Sequence, residues 1–280
     1  MGTFAVTGAR SGMGRAVVDR LAAAGHRVVT VDLADADVVA DLSTPEGRKS
    51  AAADVMAKCG GVLDGAVMAA GIGPVPGRDM PRRILEVNYL GVVDLLDAWR
   101  PALAAAGSSK VVVIASNSPT VTPAVPGKAV RALLAGDAKR ATGALKRFSG
   151  RAPVFAYAAS KLAVSRWVRR QAVTPAWAGA GIRLNAIAPG AVLTPLLEAQ
   201  LADPQQAKLV KNFPIPVGHY GDAGEIADWV LFMLGPAANS LCGSVVFVDG
   251  GSDAWFRADD WPRTVPLRAI PGYLKKMRTT

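Results

Sequence analysis

Thr3-Phe4-Ala5-Val6-Thr7-Gly8-Ala9-Arg10-Ser11-Gly12-Met13-Gly14 opens the chain. A short apolar run leads into a glycine-rich turn, and an amphipathic pattern follows over 13–24. The order is strand, turn, helix. Glycines at 8, 12 and 14 let the backbone turn tightly and let a ligand approach it closely. The helix that starts there, with Ser11 and Met13 in its first turn, presents free N–H groups and its positive end to an anion. A glycine trio alone says little. Its place between a strand and a helix, at the start of a βαβ unit, gives it weight.

Asp32 ends the next apolar run, 18 residues past Gly14. A carboxylate there accepts hydrogen bonds from both hydroxyls of an adenosine ribose and repels a 2′-phosphate. It favours NAD over NADP. Arg10, a cation in the glycine turn, argues the other way.

Outward from this unit, short runs rich in Val, Ile and Ala recur at 3–7, 27–32, 64–69, 110–116, 182–188 and 245–249. They show little polar alternation, as strands buried on both faces do. Helical patterns lie between them at 13–24, 45–58, 80–106, 155–178 and 222–234. The alternation predicts an α/β fold, a doubly wound parallel sheet, in one domain over 1–252. Ligands bind such sheets beyond the C-terminal ends of the strands. Two segments break the pattern. An insertion at 117–153 begins with a Pro/Thr-rich piece, expected to be extended, and continues as an amphipathic basic helix. A C-terminal extension at 253–280 sets Trp255, Phe256, Trp261 and Tyr273 among prolines and cations.

With 280 residues, 51% apolar and 19% charged, the chain has the material for a large buried core and is not disordered. No apolar run approaches 18 residues, so neither a membrane span nor a signal peptide is expected. A soluble, cytoplasmic protein is the expectation. Cys59 and Cys242 read as packing thiols, and His26 and His219 as turn residues; a disulfide framework or metal site is not expected. The net charge of +10 raises the question of nucleic acid. Most of that charge sits in the two extra segments. The insertion holds Lys128, Arg131, Lys139, Arg140, Lys146, Arg147 and Arg151 against Asp137. The extension holds Arg257, Arg263, Arg268, Lys275, Lys276 and Arg278 against three aspartates. The scaffold is near neutral and offers no basic groove with base-stacking positions, so no nucleic-acid partner is expected.

Tyr157 and Lys161 lie in Tyr-Ala-Ala-Ser-Lys, and i, i+4 spacing puts both on one helix face. A phenol with a pKa near 10 is a poor base at neutral pH, and a nearby ammonium favours the phenolate. Such a pair is common by chance. Two further residues add to it. Ser116 follows the run Val111-Val112-Val113-Ile114-Ala115, on the ligand-binding edge, where its hydroxyl can donate to a carbonyl oxygen gaining charge. Asn88 is an amide inside an otherwise apolar helical stretch and is suited to hold a water that relays protons toward Lys161.

With these residues the sequence resembles the short-chain dehydrogenase/reductase family, whose fold is a Rossmann sheet. The resemblance runs from residue 3 to about 251. It covers Gly8, Gly12 and Gly14, then Asp41-Leu42, Ala69-Ala70-Gly71, Pro189-Gly190, Val192 and Thr194, and Asp249-Gly250-Gly251. It implies that Asn88, Ser116, Tyr157 and Lys161 form a catalytic tetrad. It also implies that Asp41 and Leu42 meet the adenine and that the segment from Pro189 to Thr194 meets the nicotinamide. Ala69 stands where the family usually has an asparagine. Residues 35–49, Arg183-Leu184-Asn185 and Thr194-Pro195-Leu196-Leu197, together with the long insertion, resemble the bacterial 3α-hydroxysteroid dehydrogenase/carbonyl reductase group.

The expectation is an NAD-dependent oxidoreductase acting on a secondary alcohol or ketone, steroidal or otherwise bulky and hydrophobic, in a homodimer or homotetramer. Dehydrogenation of terpenoid or cyclic alcohols and non-catalytic NAD binding remain alternatives. The insertion covers its own subunit, shapes a subunit interface, or forms a lid whose cations favour an anionic substrate. Trp255, Phe256 and Trp261 of the tail are expected to dock on apolar surface, either of this subunit or of a neighbour.

Overall fold

The computed structural model describes residues 1–202, 204–262 and 264–277. Arg263 and Arg278 of the tail lie outside the described residues. Seven parallel strands form one sheet in the order β3-β2-β1-β4-β5-β6-β9. They are β1 (Thr3–Thr7), β2 (Arg27–Asp32), β3 (Val38–Val39), β4 (Gly65–Met68), β5 (Ser109–Ile114), β6 (Ile182–Pro189) and β9 (Val245–Val248). A separate parallel pair, β7 (Val192–Leu193) with β8 (Gly221–Asp222), follows β6. Every residue of β4 and β5 is buried, which is why neither run alternates. From β1 the order steps outward through β2 on one side and β4 on the other. The crevice therefore opens beyond β1 and β4.

Helices cover both faces. On one, α1 (Gly12–Ala23) and α11 (Ala223–Leu234) seal a core with Val6, Val67, Val112 and Ile187. On the other lie α2 (Pro45–Cys59), α4 (Gly91–Ala105) and α8 (Ala152–Gln171) over Val31, Met68 and Val113. Local chemistry sets the ends: Thr44 accepts from Gly47 N at the start of α2, left-handed Gly60 ends it, and Asp222 and Glu225 close a capping box on α11.

The helix expected over 80–106 is interrupted. α3 (Met80–Leu85) passes into a π turn, Glu86–Leu90, before α4. Buried Arg48 steadies this turn. It donates to Glu86 Oε2 at 2.9 Å, to Asp94 Oδ2 at 2.7 Å and to the Leu42 carbonyl at 3.1 Å.

The insertion departs from expectation twice. Its Pro/Thr-rich start is one helical turn, α5 (Ser118–Val121), because the Asn117 carbonyl accepts from Thr120 N, Val121 N and Thr120 Oγ1. The single basic helix is two, α6 (Gly127–Leu134) and α7 (Ala138–Leu145). Gly136 at φ +76° breaks them, and Asp137 restarts the second by accepting from Arg140 N. Val130, Leu133, Ala141 and Leu145 join the core beneath, so the insertion packs on its own subunit against α3 and α8. Phe148 lies 4.2 Å from Phe155, with Arg147 stacked on its ring.

Past β7, α9 (Pro195–Ala202) and α10 (Pro204–Lys211) belong to the segment that leads to β8, and α12 (Ser252–Arg257) and α13 (Ile270–Met277) to the tail. Of the tail aromatics, half-exposed Phe256 meets this chain, its ring 5.8 Å from that of Phe213. Trp255 and Trp261 are 68% and 67% exposed. Among the described residues no helix is long and apolar enough to cross a membrane, and no His/Cys/Asp/Glu group is arranged for a metal.

Leu133→Ala is expected to cost about 2–5 kcal/mol, while Arg131→Ala on the exposed face changes stability by under about 0.5 kcal/mol. Chemical denaturation of the two variants checks this.

Candidate active site

At the end of β1, Gly8 and Gly12 adopt φ of +67° and +54°. A Cβ on Gly14 would stand 2.0 Å from the Gly8 carbonyl oxygen, and one on Gly8 would stand 2.6 Å from Ala70 N. Neither position admits a side chain. The turn is held by Gly8 N donating to the Val31 carbonyl at 2.9 Å and by Ala70 N donating to Thr7 Oγ1 at 3.1 Å. Ser11 caps α1 without a side-chain bond, and no acid lies in the first turn, so its amides remain available to an anion.

Asp32 accepts from Arg10 N at 2.9 Å and Leu33 N at 2.7 Å. The Arg10 guanidinium faces Asp35 at 3.8 Å. Serine bonds from Ser43 hold the Asp41 carboxyl below its ordinary pKa against burial, helped by the charges of Arg83 and Arg82. Asp32 and Asp41 line a groove of about 240 Å³ with Gly8, Ser11, Gly12, Met13, Gly14, Leu42, Ala70, Gly71, Thr194 and Arg83, while Arg10 is not among its walls. Free helix amides, a carboxylate at the end of β2 and a backbone cradle closed to any Cβ fit an adenine dinucleotide. Arg83 was not singled out in the sequence.

Ser116 lies two residues beyond β5. Its Oγ accepts from Ser118 N at 3.0 Å and is hydrogen-bonded to the Tyr157 hydroxyl. Lys161, one turn on in α8, is 5% exposed and donates from Nζ to the Ile114 carbonyl at 2.7 Å. Burial lowers its pKa to about 8. Burial also raises the Tyr157 phenol above its ordinary value, and the Ser116 bond opposes that. The helical spacing predicts that Lys161 lowers the phenol. In the structure the ammonium is turned to Ile114, 5.9 Å from the Tyr157 ring centroid, and Ser116 is the group that does so.

Asn88 sits fully buried in the π turn. Its Oδ1 accepts from Ile72 N at 2.8 Å, and its Nδ2 donates to the Ile72 carbonyl at 2.9 Å. The side chain expected to hold a water is engaged on both sides and staples residues 70–72 beside the groove. The π turn directs this amide sideways out of the helix ladder.

A second cavity of about 330 Å³ opens in front of Ser116 and Tyr157. Pro189, Gly190, Val192 and Thr194 line it, and Met13, Thr194 and Leu196 line both cavities, which therefore lie side by side. Gly190 is close to Asp249, where a Cβ would stand 2.8 Å from its Cα. Asp249 in turn accepts from Gly251 N and Asp253 N. Further walls include Val121, Thr122, Val154, Val210 and Phe213, none named as site residues from the sequence. Val154 stands in the first turn of α8, and the others come from loops and short helices with no period to mark them.

A groove that fits a dinucleotide, beside a Ser–Tyr–Lys cluster at the strand ends, is the arrangement of a nucleotide-dependent oxidoreductase. The chain belongs to the short-chain dehydrogenase/reductase family. The short chain dehydrogenase model matches residues 3–126, and the model described as Enoyl-(Acyl carrier protein) reductase matches 140–253. The 3-alpha-hydroxysteroid dehydrogenase/carbonyl reductase of Comamonas testosteroni is 40% identical over 257 residues, 92% of this chain and 98% of that protein. The crystal structure of the 3-alpha-hydroxysteroid dehydrogenase from Pseudomonas sp. B-0831 complexed with NADH is 43% identical. It has a TM-score of 0.86 and covers 92% of this chain and 99% of its own. The cis-4-hydroxycyclohexanecarboxylate dehydrogenase of Sinomonas cyclohexanicum is 30% identical, covering 89% and 95% of the two chains.

Asn88→Ala strips the part-buried Ile72 amide and carbonyl of their partner. A loss of about 1–3 kcal/mol is expected for each group left unpaired, read by thermal and chemical denaturation, together with weaker NADH binding.

Proposed function

We propose that the protein is an NAD-linked dehydrogenase of secondary alcohols, with a 3α-hydroxysteroid or another bulky hydrophobic alcohol as substrate. The observation that carries this is the largely apolar cavity in front of Ser116 and Tyr157, which shares Met13, Thr194 and Leu196 with the groove that fits a dinucleotide. The similarity to two 3α-hydroxysteroid dehydrogenases supports the substrate class. The similarity to the cyclohexanecarboxylate enzyme favours cyclic alcohols as a second reading. Asp32 supports NAD, since its carboxylate disfavours a 2′-phosphate and Arg10 already faces Asp35.

Bound in the groove, the nicotinamide cofactor supplies the hydride for reduction and accepts it in oxidation. Tyr157 gives its hydroxyl proton to the carbonyl oxygen in reduction and takes the proton from the alcohol in oxidation. Ser116 donates to the same oxygen and orients it. Lys161 keeps two N–H donors beyond its Ile114 bond, suited to the hydroxyls of a ribose. Asn88 positions residues 70–72.

Tyr157→Phe is expected to cut turnover about 10²–10⁴-fold. NADH affinity, followed by fluorescence titration, should be preserved. Full turnover in this variant would overturn the assignment. Oxidation begins from the phenolate, so its rate rises with pH while reduction falls. Because Ser116 lowers a phenol that burial raises, Ser116→Ala should move the oxidative limb to higher pH. Measured kcat/KM profiles decide this. Asp32→Ala should raise the NADP:NAD ratio of kcat/KM above that of the wild type.

A further inference from the structure

A third cavity, about 630 Å³, lies between the loop before α3 and the end of the insertion. Arg78, Arg82 and Lys146 line it against one carboxylate, Asp79. Ala152 and Pro153, the first residues of α8, form its floor. This 20-residue helix has no side-chain cap at its N-terminus and no acid in its first turn. Three cations and an uncapped helix end thus meet at one hollow, a field suited to an anion. Lys139 and Arg140, though in the same insertion, do not line it.

The hollow and the substrate cavity are lined by neighbouring residues of the same two segments. Pro153 lines the first and Val154 the second; Pro76 lines the first and Pro74 the second. Along α8 the four residues from Pro153 to Tyr157 span about 6 Å. An elongated molecule whose hydroxyl meets Tyr157 can therefore lie over the apolar wall at Val154 and place its far end among the cations.

The geometry points to a substrate-tail subsite: Arg78, Arg82 and Lys146 receive a carboxylate carried at the far end of a bulky apolar alcohol. This rests on the reading of the protein as a dehydrogenase of such alcohols and names the anionic members of that class as preferred. The neutral scaffold and the apolar reaction cavity give an anion no other reason to be favoured. The insertion, absent from the alternation that builds the sheet, supplies Lys146 to this subsite.

The test pairs a 3α-hydroxysteroid bearing a side-chain carboxylate with its methyl ester, and a cyclic alcohol carboxylate with its ester. Wild type is compared with Arg78→Gln/Lys146→Gln, both exposed positions away from the reacting groups and the cofactor groove. Wild type should use the carboxylates with roughly tenfold higher kcat/KM than the esters, through KM, and high salt should reduce the ratio. The variant should lose the preference while its activity on the esters is unchanged. Equal use of acid and ester by wild type, or an equal loss on both in the variant, overturns the subsite. Calorimetric titration of the NADH-loaded protein with each acid and ester reads the same preference without turnover. Binding of the acids with no oxidation of any alcohol would reject the dehydrogenase reading and leave the subsite standing. Equal affinity for acid and ester would reject the subsite.

Discussion

A buried ammonium bonded to a strand end fixes the working geometry. Lys161 Nζ reaches the Ile114 carbonyl at 2.7 Å, from the middle of α8 to the last residue of β5. Burying a charge is costly, and the lowered Lys161 pKa of about 8 expresses that cost. The bond sets how α8 lies along the sheet. One turn away, it brings Tyr157 to Ser116, which has left the same strand two residues later. The insertion depends on the same helix, because α6 and α7 pack their apolar faces near it and their cations outward.

Steric closeness does the corresponding work for the groove. Gly14 against the Gly8 carbonyl and Gly8 against Ala70 leave no space for a Cβ, so strand, turn and helix meet at backbone distance. Asn88 ties the opposite wall by both ends of its amide to Ile72. Arg48 holds the π turn that carries Asn88 to α2 and Leu42. The groove is thus built by contacts that converge on backbone atoms, which places ligand-facing groups with little freedom to drift. Thr194 stands beside Gly12 and lines both cavities, so the groove and the reaction cavity share a wall.

Six strands and the covering helices were legible because buried parallel strands leave continuous apolar runs and their helices leave a 3.6-residue period. β3 was not, since two residues carry no period. The π turn escaped because Glu86–Leu90 keeps a helical composition, and its cause, Ile72, is distant in sequence. The break at Gly136 lay inside an apolar period that continues across it, and Asp137 was counted as a charge when it acts as a cap. Asp32, Ser116, Tyr157 and Lys161 stood out because each falls at a strand end or at helical spacing from another. Arg83, Val154, Val210 and Phe213 come to the site by tertiary packing, which spacing does not encode. The direction of the Lys161 ammonium was equally hidden, as both rotations keep it on the Tyr157 face.

The most direct test is kcat/KM for alcohol oxidation across pH in wild type and Lys161→Met, beside an NADH titration and a thermal melt of each. If the ammonium on Ile114 fixes the site, the folded variant loses about 10²-fold or more in rate, and its remaining activity shifts to higher pH. A folded Lys161→Met protein with the wild-type rate and pH profile would contradict the account.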